Sequence, residues 1–590
     1  MLPPRGCVET GIRARVVSIP IYHIPLTDCP YTTDIYFISN RNNLGVLCTV
    51  LGHAREALGA LQAAICADPA YAVAHNNAGV LFRDTGDIPE ALASYKECAR
   101  LNPDDRNASQ NYLMSLNYVY DGRLPLVSDA HIQWGQRMMQ SVGLPMRQRA
   151  FDAHRDVGAG EKLGNISQLL PLIRSNSRGG NPGRDTPPIA LTPGNSWDDL
   201  AALTSRDKIN PTQNSRPLVV GYVSPDMYTH SVSYFAAAPL AHHDRTRVKC
   251  VVYSATPVED SRTKLLRAHV ARAGGEWRDV SLLTERALAE LIHSDGVDIL
   301  VELSGHTANN KLATLALRPA PVQVTWAGYP NTTGLNGAVD YRITDEYCDP
   351  VDTRQVFAET NVRLPGCFLS YAPHPASPPV APAPCVNAGY VTFGCFNALA
   401  KITKNVRALW GRLLKQTPNS RLVVKAKPFA CVSIRDRFLA AMATEQGIAS
   451  WRIDVRPLVA STETHLRTYA QIDIALDTFP YAGTTTTCEA LFAGVPVVTL
   501  AGHSHAHNVG VSLLAAVDLE GRCVAKSENE YVAMCVALAS DHSALGELRK
   551  GMRATMQKRN GLCDGAAFTT KLEHAYVAMW RRYCAEKGRA

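Results

Sequence analysis

Between Ile472 and Glu489 the chain reads as an apolar run, then a turn around Pro480 and Gly483, then four threonines, Thr484 to Thr487. This predicts a buried strand running into a helix that opens at the threonines and ends near Gly494. The unpaired N–H groups and positive dipole end of such a helix suit a phosphate. The hydroxyls of Thr485 and Thr486 would add donors, and Glu489, one turn in, is placed to accept from ribose hydroxyls. Threonine there also satisfies plain helix capping, which this segment alone does not distinguish from phosphate binding.

Four other stretches carry candidate chemistry. Lys401 lies within Phe393–Ile402, beyond an expected strand and ahead of a helix, where an ammonium could neutralise a departing diphosphate; a lone loop lysine is otherwise ordinary surface. His230 closes the first strand–loop–helix unit, Gly221–His230, as a candidate base or acceptor-orienting group. His306 and Thr307 follow another strand end and are assigned to the acceptor side; two histidines from separate strand ends point to a crevice site. The run Ala501–Gly510 holds His503, His505 and His507. A metal reading is discounted because no neighbouring carboxylate or cysteine completes a zinc set. A phosphate-facing loop fits better and puts His507 and Asn508 on the donor side. No Asp-x-Asp motif sits in a convincing metal-binding loop, so no metal and no cofactor is expected, with lysine and helix dipoles in their place.

The elements that must hold these residues follow from periodicity. Asn43–Leu47 recurs as Asn77–Leu81, Glu56–Leu58 as Glu90–Leu92, and Pro69 as Pro103, always in the same phase. Small residues where helices cross and proline after the second helix look like tetratricopeptide repeats. Two full repeats and one partial are read over 40–120, a helical connector over 121–154 and a Gly/Pro/Ser-rich flexible linker over 155–216; residues 1–39 match none of these. From 217 strands and helices alternate, a proline-rich stretch Pro373–Pro384 intervenes, and the alternation resumes. Two doubly wound α/β lobes are therefore expected, over 217–385 and 386–587, with a cleft between them.

Composition agrees. Hydrophobic residues make 46% and charged residues 19% of 590, which is globular, and the net charge of +7 is spread without a basic block, so nucleic acid is not indicated. Sixteen scattered cysteines without a Cys-x-x-Cys pair suit a reducing compartment, and no long apolar run predicts a membrane span. Cytoplasmic or nuclear residence is expected.

Taken together, Gly221–Asp226, Gly305–Asn310, Arg318–Trp326, Leu476–Glu489 and His505–Val511 resemble the Spindly-type branch of the O-linked N-acetylglucosamine transferase family. The resemblance runs from about Leu218 to Cys584. It implies a GT-B fold and an inverting, metal-independent transfer to serine or threonine. It also implies Lys401 on the diphosphate, Thr485 and Thr486 at the phosphates, Glu489 on ribose, His465 beside the base, Ala460 and Thr484 also on the donor side, and His230 at the family's proposed catalytic position. The Spindly-type branch resembles GDP-fucose enzymes, whereas the animal-type branch uses UDP-N-acetylglucosamine. Phe479–Thr484 in place of an Asn-Gly-His turn, and Thr462 in place of a lysine, favour the former. Ala398 departs from both branches, which usually carry an amide there. Intracellular protein acceptors would be chosen by the repeats, with a homo-oligomer as a further expectation, and removing residues 1–120 should damage transfer to protein far more than binding of donor. An inactive repeat scaffold is the alternative from another class, but packing alone has no need of Lys401, Glu489, His230 and the threonines together.

Overall fold

The computed structural model describes residues 35–120, 125–146 and 216–587. The expected linker lies outside these residues except for Arg216, as does most of the unassigned N-terminal segment.

Six helices come first: α1 (Ile35–Leu51), α2 (Ala54–Ala67), α3 (Ala72–Thr85), α4 (Ile88–Leu101), α5 (Arg106–Leu116) and α6 (Leu126–Val142). The small residues of the repeat are there for close helix crossing. A Cβ on Gly45 would lie 2.5 Å from Leu61, and one on Gly79 would lie 2.5 Å from the Tyr95 ring. Two boundaries shift from the sequence reading. Helix α1 begins before residue 40, and α6, expected as a connector, packs on α5 as the second helix of the third repeat. The longer turn between α5 and α6 moves that helix out of phase with its predecessors.

The first lobe holds β1 (Leu218–Ser224), β2 (Val248–Ser254), β3 (Glu276–Asp279), β4 (Ile299–Glu302), β5 (Val322–Thr325), β6 (Tyr341–Asp345) and β7 (Thr360–Leu364), in the order 3-2-1-4-5-6-7. The second holds β8 (Thr392–Cys395), β9 (Arg421–Lys425), β10 (Ile453–Arg456), β11 (Ile474–Leu476), β12 (Val497–Leu500) and β13 (Val524–Ala525), in the order 10-9-8-11-12-13. All pairings are parallel. Strands covered on both faces are largely apolar; every residue of β4, β5 and β8 is buried, including the polar Glu302, Gln323, Thr325 and Thr392.

Strand order reverses between β1 and β4 and again between β8 and β11, and ligands of such sheets bind outside the strand carboxyl ends at those reversals. The loops leaving these four strands contain His230, His306, Lys401 and the threonine run respectively.

The final helix, Gly565–Lys587, belongs to the second lobe in sequence only. It returns to the first lobe, where Tyr576 and Tyr222 hydroxyls lie 3.1 Å apart and Phe568 stacks on Trp326. The unit expected over 386–587 is thus continuous in sequence but divided in space.

The repeats dock on both lobes. Helix α6 meets the first lobe backbone to backbone: a Cβ on Gly135 would lie 1.9 Å from the Gly334 carbonyl oxygen. On the second lobe, Arg437 bonds Asp87 at 2.8 Å and the Thr85 carbonyl at 2.9 Å. Gly135→Ala is therefore expected to cost about 1–3 kcal/mol, lower the melting temperature and expose α6 to protease; an unchanged melting curve and digestion pattern would refute this docking.

Candidate active site

Lys401 lies in a short 3-10 turn, Leu399–Lys401, just past β8. Its ammonium donates to the Ala482 carbonyl at 2.7 Å and sits 3.8 Å over the Tyr481 ring. Burial pulls this lysine down to about 8, against the opposing pull of Asp477. Asp477 is itself buried. It accepts from the Gly483 N–H at 2.7 Å, the Thr478 N–H at 2.8 Å and the Thr499 hydroxyl at 2.8 Å, so it folds the turn that precedes the threonines.

The helix Thr485–Phe492 starts from that turn. Thr484 occupies its N-cap position without a side-chain cap bond, and the buried Thr485 hydroxyl has no partner. Plain capping therefore does not explain these threonines. An unpaired hydroxyl beside unpaired helix N–H groups and one turn from an ammonium is a site for an anion. Thr486 departs from expectation, because its hydroxyl is spent on the Asn397 side-chain oxygen at 2.7 Å. Asn397 was not singled out from sequence, although it stands in the same loop as Lys401. Its neighbour Ala398 is exposed.

Deeper along the helix, Glu489 accepts from the Tyr469 hydroxyl and the His465 Nε2–H, each at 2.9 Å. Lys425, at the end of β9, contacts His465 Nδ1 from the other side. The sequence reading missed Lys425 and Tyr469 because only the fold brings β9 and the 468–471 turn against this helix. Ala460 is exposed in the bend before the Thr462–Arg467 helix that carries His465.

Across the cleft, His230 Nδ1 lies 3.6 Å from Asp226 and its ring stacks on Tyr228. Burial lowers its affinity for a proton, which favours the neutral ring that a base requires. Burial, with Glu302 next, pushes the Asp226 carboxyl up to about 7, and one of its oxygens is buried without a partner.

Three of the expected site residues spend polar atoms on the protein itself. His306 is buried rather than lining the crevice: its Nε2 bonds the Thr333 carbonyl at 2.9 Å and Trp134 of α6 packs edge-on at 4.5 Å, because the docked repeat segment covers this strand end. Thr307 ties its own loop, donating to the Ser304 carbonyl at 2.8 Å. Asn508 is committed to structure, accepting from the Gly502 N–H at 2.8 Å and donating to the Cys348 carbonyl of the first lobe at 3.3 Å. His507 stacks on Phe479 at 6.1 Å, while His505 bonds Asp349 at 2.7 Å across the lobes, so these histidines serve different ends. Among the described residues, no cluster of three or more His, Cys, Asp or Glu side chains could hold a metal.

The sequence model of the family described as Glycosyl transferase family 41 matches residues 202–371 and 386–572, more than half of the chain. The chain belongs to glycosyl transferase family 41. A family 41 relative from Oryza sativa subsp. japonica, named probable UDP-N-acetylglucosamine–peptide N-acetylglucosaminyltransferase SPINDLY, is 48% identical over 84% of this chain and 46% of its own length. A protein of the same name from Arabidopsis thaliana is 47% identical over 82% of this chain and 46% of its own. The chain thus spans a little under half the length of these plant relatives. Among solved structures, a mutant O-GlcNAc transferase of Thermobaculum terrenum is 31% identical, with a TM-score of 0.76 over 93% of this chain and 91% of that one. The fold is GT-B, preceded by tetratricopeptide-like helices.

The repeats of this family 41 chain reach the Lys401 turn itself. Tyr118 stacks on Tyr481 at 5.3 Å, and Ile88 and Tyr118 pack with Ala400. The repeats thus form one wall of the pocket holding the ammonium, so the donor side, and not acceptor choice alone, is expected to feel a change in them. Tyr118→Ala should weaken nucleoside diphosphate binding roughly 3–10-fold by calorimetry, with Tyr118→Phe near wild type; unchanged affinity in the alanine variant would refute the coupling. Because Lys401 and Lys425 are both lowered to about 8 by burial, they are protonated below that value and lose charge above it. Affinity for a nucleoside diphosphate should accordingly fall as pH rises from 7.5 to 9.5, and a flat profile would contradict cationic recognition.

Proposed function

We propose that this protein transfers a sugar from a nucleotide sugar to serine or threonine hydroxyls of intracellular proteins, with inversion and without a metal. The observation that carries this reading is the Lys401 ammonium bonded to Ala482 in the turn that starts the uncapped Thr485 helix. A pyrophosphate leaving group needs its developing charge met by fixed donors, and a lysine with a helix N-terminus supplies them without reorganisation. Thr484 and Thr485 would face the phosphates, Glu489 the ribose, and His465 and Ala460 the base. His507 would border the donor, and His230 would take the acceptor proton while Asp226 lies beside it.

For the acceptor, the observation is a cleft of about 500 Å³ between the repeats and the first lobe. Gln110 of α5, Met138 of α6 and Asn310 of the loop after β4 line it. Asparagine side chains bond along the repeats, Asn77 to Asn42 at 2.8 Å and Asn111 to Asn76 at 3.1 Å. The partly exposed amides of Asn76, Asn77 and Asn111 retain capacity to pair with an extended peptide backbone.

For the sugar, the Phe479–Thr484 turn and Thr462 support GDP-fucose through the Spindly-type resemblance. The names of the plant relatives favour the second reading, UDP-N-acetylglucosamine. Incubation with each labelled donor and an acceptor protein decides between them, and transfer from neither, with a folded protein, would leave the scaffold reading. Lys401→Ala should reduce transfer at least 100-fold, as loss of a group stabilising transition-state charge does, while the melting curve stays close to wild type; near-normal turnover would remove Lys401 from the chemistry.

A further inference from the structure

Lys425 is 1% exposed, although it is a lysine at the end of a strand and outside every motif read from the sequence. A buried ammonium is costly unless it is paired. Its partners are few and directional: the Thr468 hydroxyl at 3.2 Å, the His465 Nδ1 atom, and the Phe396 ring, whose centroid lies 4.6 Å away. None is a carboxylate. The charge instead reaches Glu489 through the imidazole.

An ammonium has only donors to offer, so the ring nitrogen facing it must accept. The His465 proton is then on Nε2, which lies 2.9 Å from Glu489 Oε2. The Tyr469 hydroxyl donates to the same oxygen at 2.9 Å. Two donors converging on Oε2 fix the carboxylate plane and leave Oε1 for a ligand hydroxyl.

We infer that Lys425 is a positioning residue that sets the His465 tautomer and thereby presents Glu489 to the ribose of the donor nucleotide. This rests on the proposed nucleotide-sugar reading and adds a residue that acts through two others. Lysine is needed because it cannot accept a hydrogen bond. A neutral residue of similar length would let His465 carry its proton on Nδ1 and turn an acceptor toward Glu489, repelling the carboxylate. The contacts of Lys425 run to Thr468, Phe396 and His465, and through His465 to Glu489, whereas Lys401 and Thr485 belong to the turn assigned to the phosphates. Its influence should therefore be felt by the nucleoside and not by the diphosphate.

That separation provides the test. Binding of GDP, UDP and inorganic pyrophosphate is measured by calorimetry for wild type, Lys425→Met, Lys425→Arg, Glu489→Gln and the Lys425→Met/Glu489→Gln double variant. Lys425→Met should weaken both nucleotides roughly 10-fold, as expected for loss of one hydrogen-bonded charge, leave pyrophosphate unchanged, and be partly rescued by Lys425→Arg. In the double variant the two losses should not add, because both variants disable one relay. Unchanged pyrophosphate binding also shows that the lobe is folded. Equal loss of pyrophosphate and nucleotide, or additive losses in the double variant, overturns the positioning role while leaving the nucleotide site standing. Wild-type protein that binds none of the three ligands removes the site and this inference together.

Discussion

A buried ammonium group must find polar company, and much of the second lobe can be read as supplying it to Lys401. The Ala482 carbonyl accepts from it, Tyr481 presents its ring face, and the Asp477 charge offsets part of its burial. Asp477 in turn closes the turn through the Gly483 N–H, and that turn aims the first helical residues at the same space. Removing the carboxylate would release both the cation and the helix start. One carboxylate thus fixes the relation between the two groups on which anion binding depends.

The same turn explains why the repeats and the transferase body are one structural unit. Tyr118 continues the stack that Lys401 and Tyr481 begin, while α6 is pressed against the Gly334 loop of the other lobe. The helical segment therefore spans both lobes. A partner bound along its asparagines would lie against the element that walls the cation.

Burial also divides the polar residues by task. His306 and His505 are nearly solvent-free and spend their nitrogens on the Thr333 carbonyl and on Asp349. His230 keeps part of its surface and His465 sits between a lysine and a glutamate. Four histidines thus divide into two that hold the lobes and repeats together and two whose side chains keep solvent exposure. Asn508 joins the first group, since its amide closes its own loop and reaches Cys348.

The sequence by itself determined the alternation of strands and helices, the phase of the repeats, and the strand ends from which Lys401, His230 and the threonines project. These are local properties: a 34-residue period, runs of buried β-branched residues, and turns marked by proline and glycine. That the strand ends carrying Lys401 and the threonine helix are neighbours, with β8 beside β11, came from the sheet order of the folded chain. Only the tertiary structure decided what else reaches those ends. Lys425, Tyr469 and Tyr118 approach from a neighbouring strand, a turn and a different domain, and no spacing along the chain records such contacts. The same holds for His306, whose strand end is identical in kind to that of His230 but is covered by α6. Whether a polar side chain faces ligand or core depends on what packs above it, and that is a property of the assembled chain.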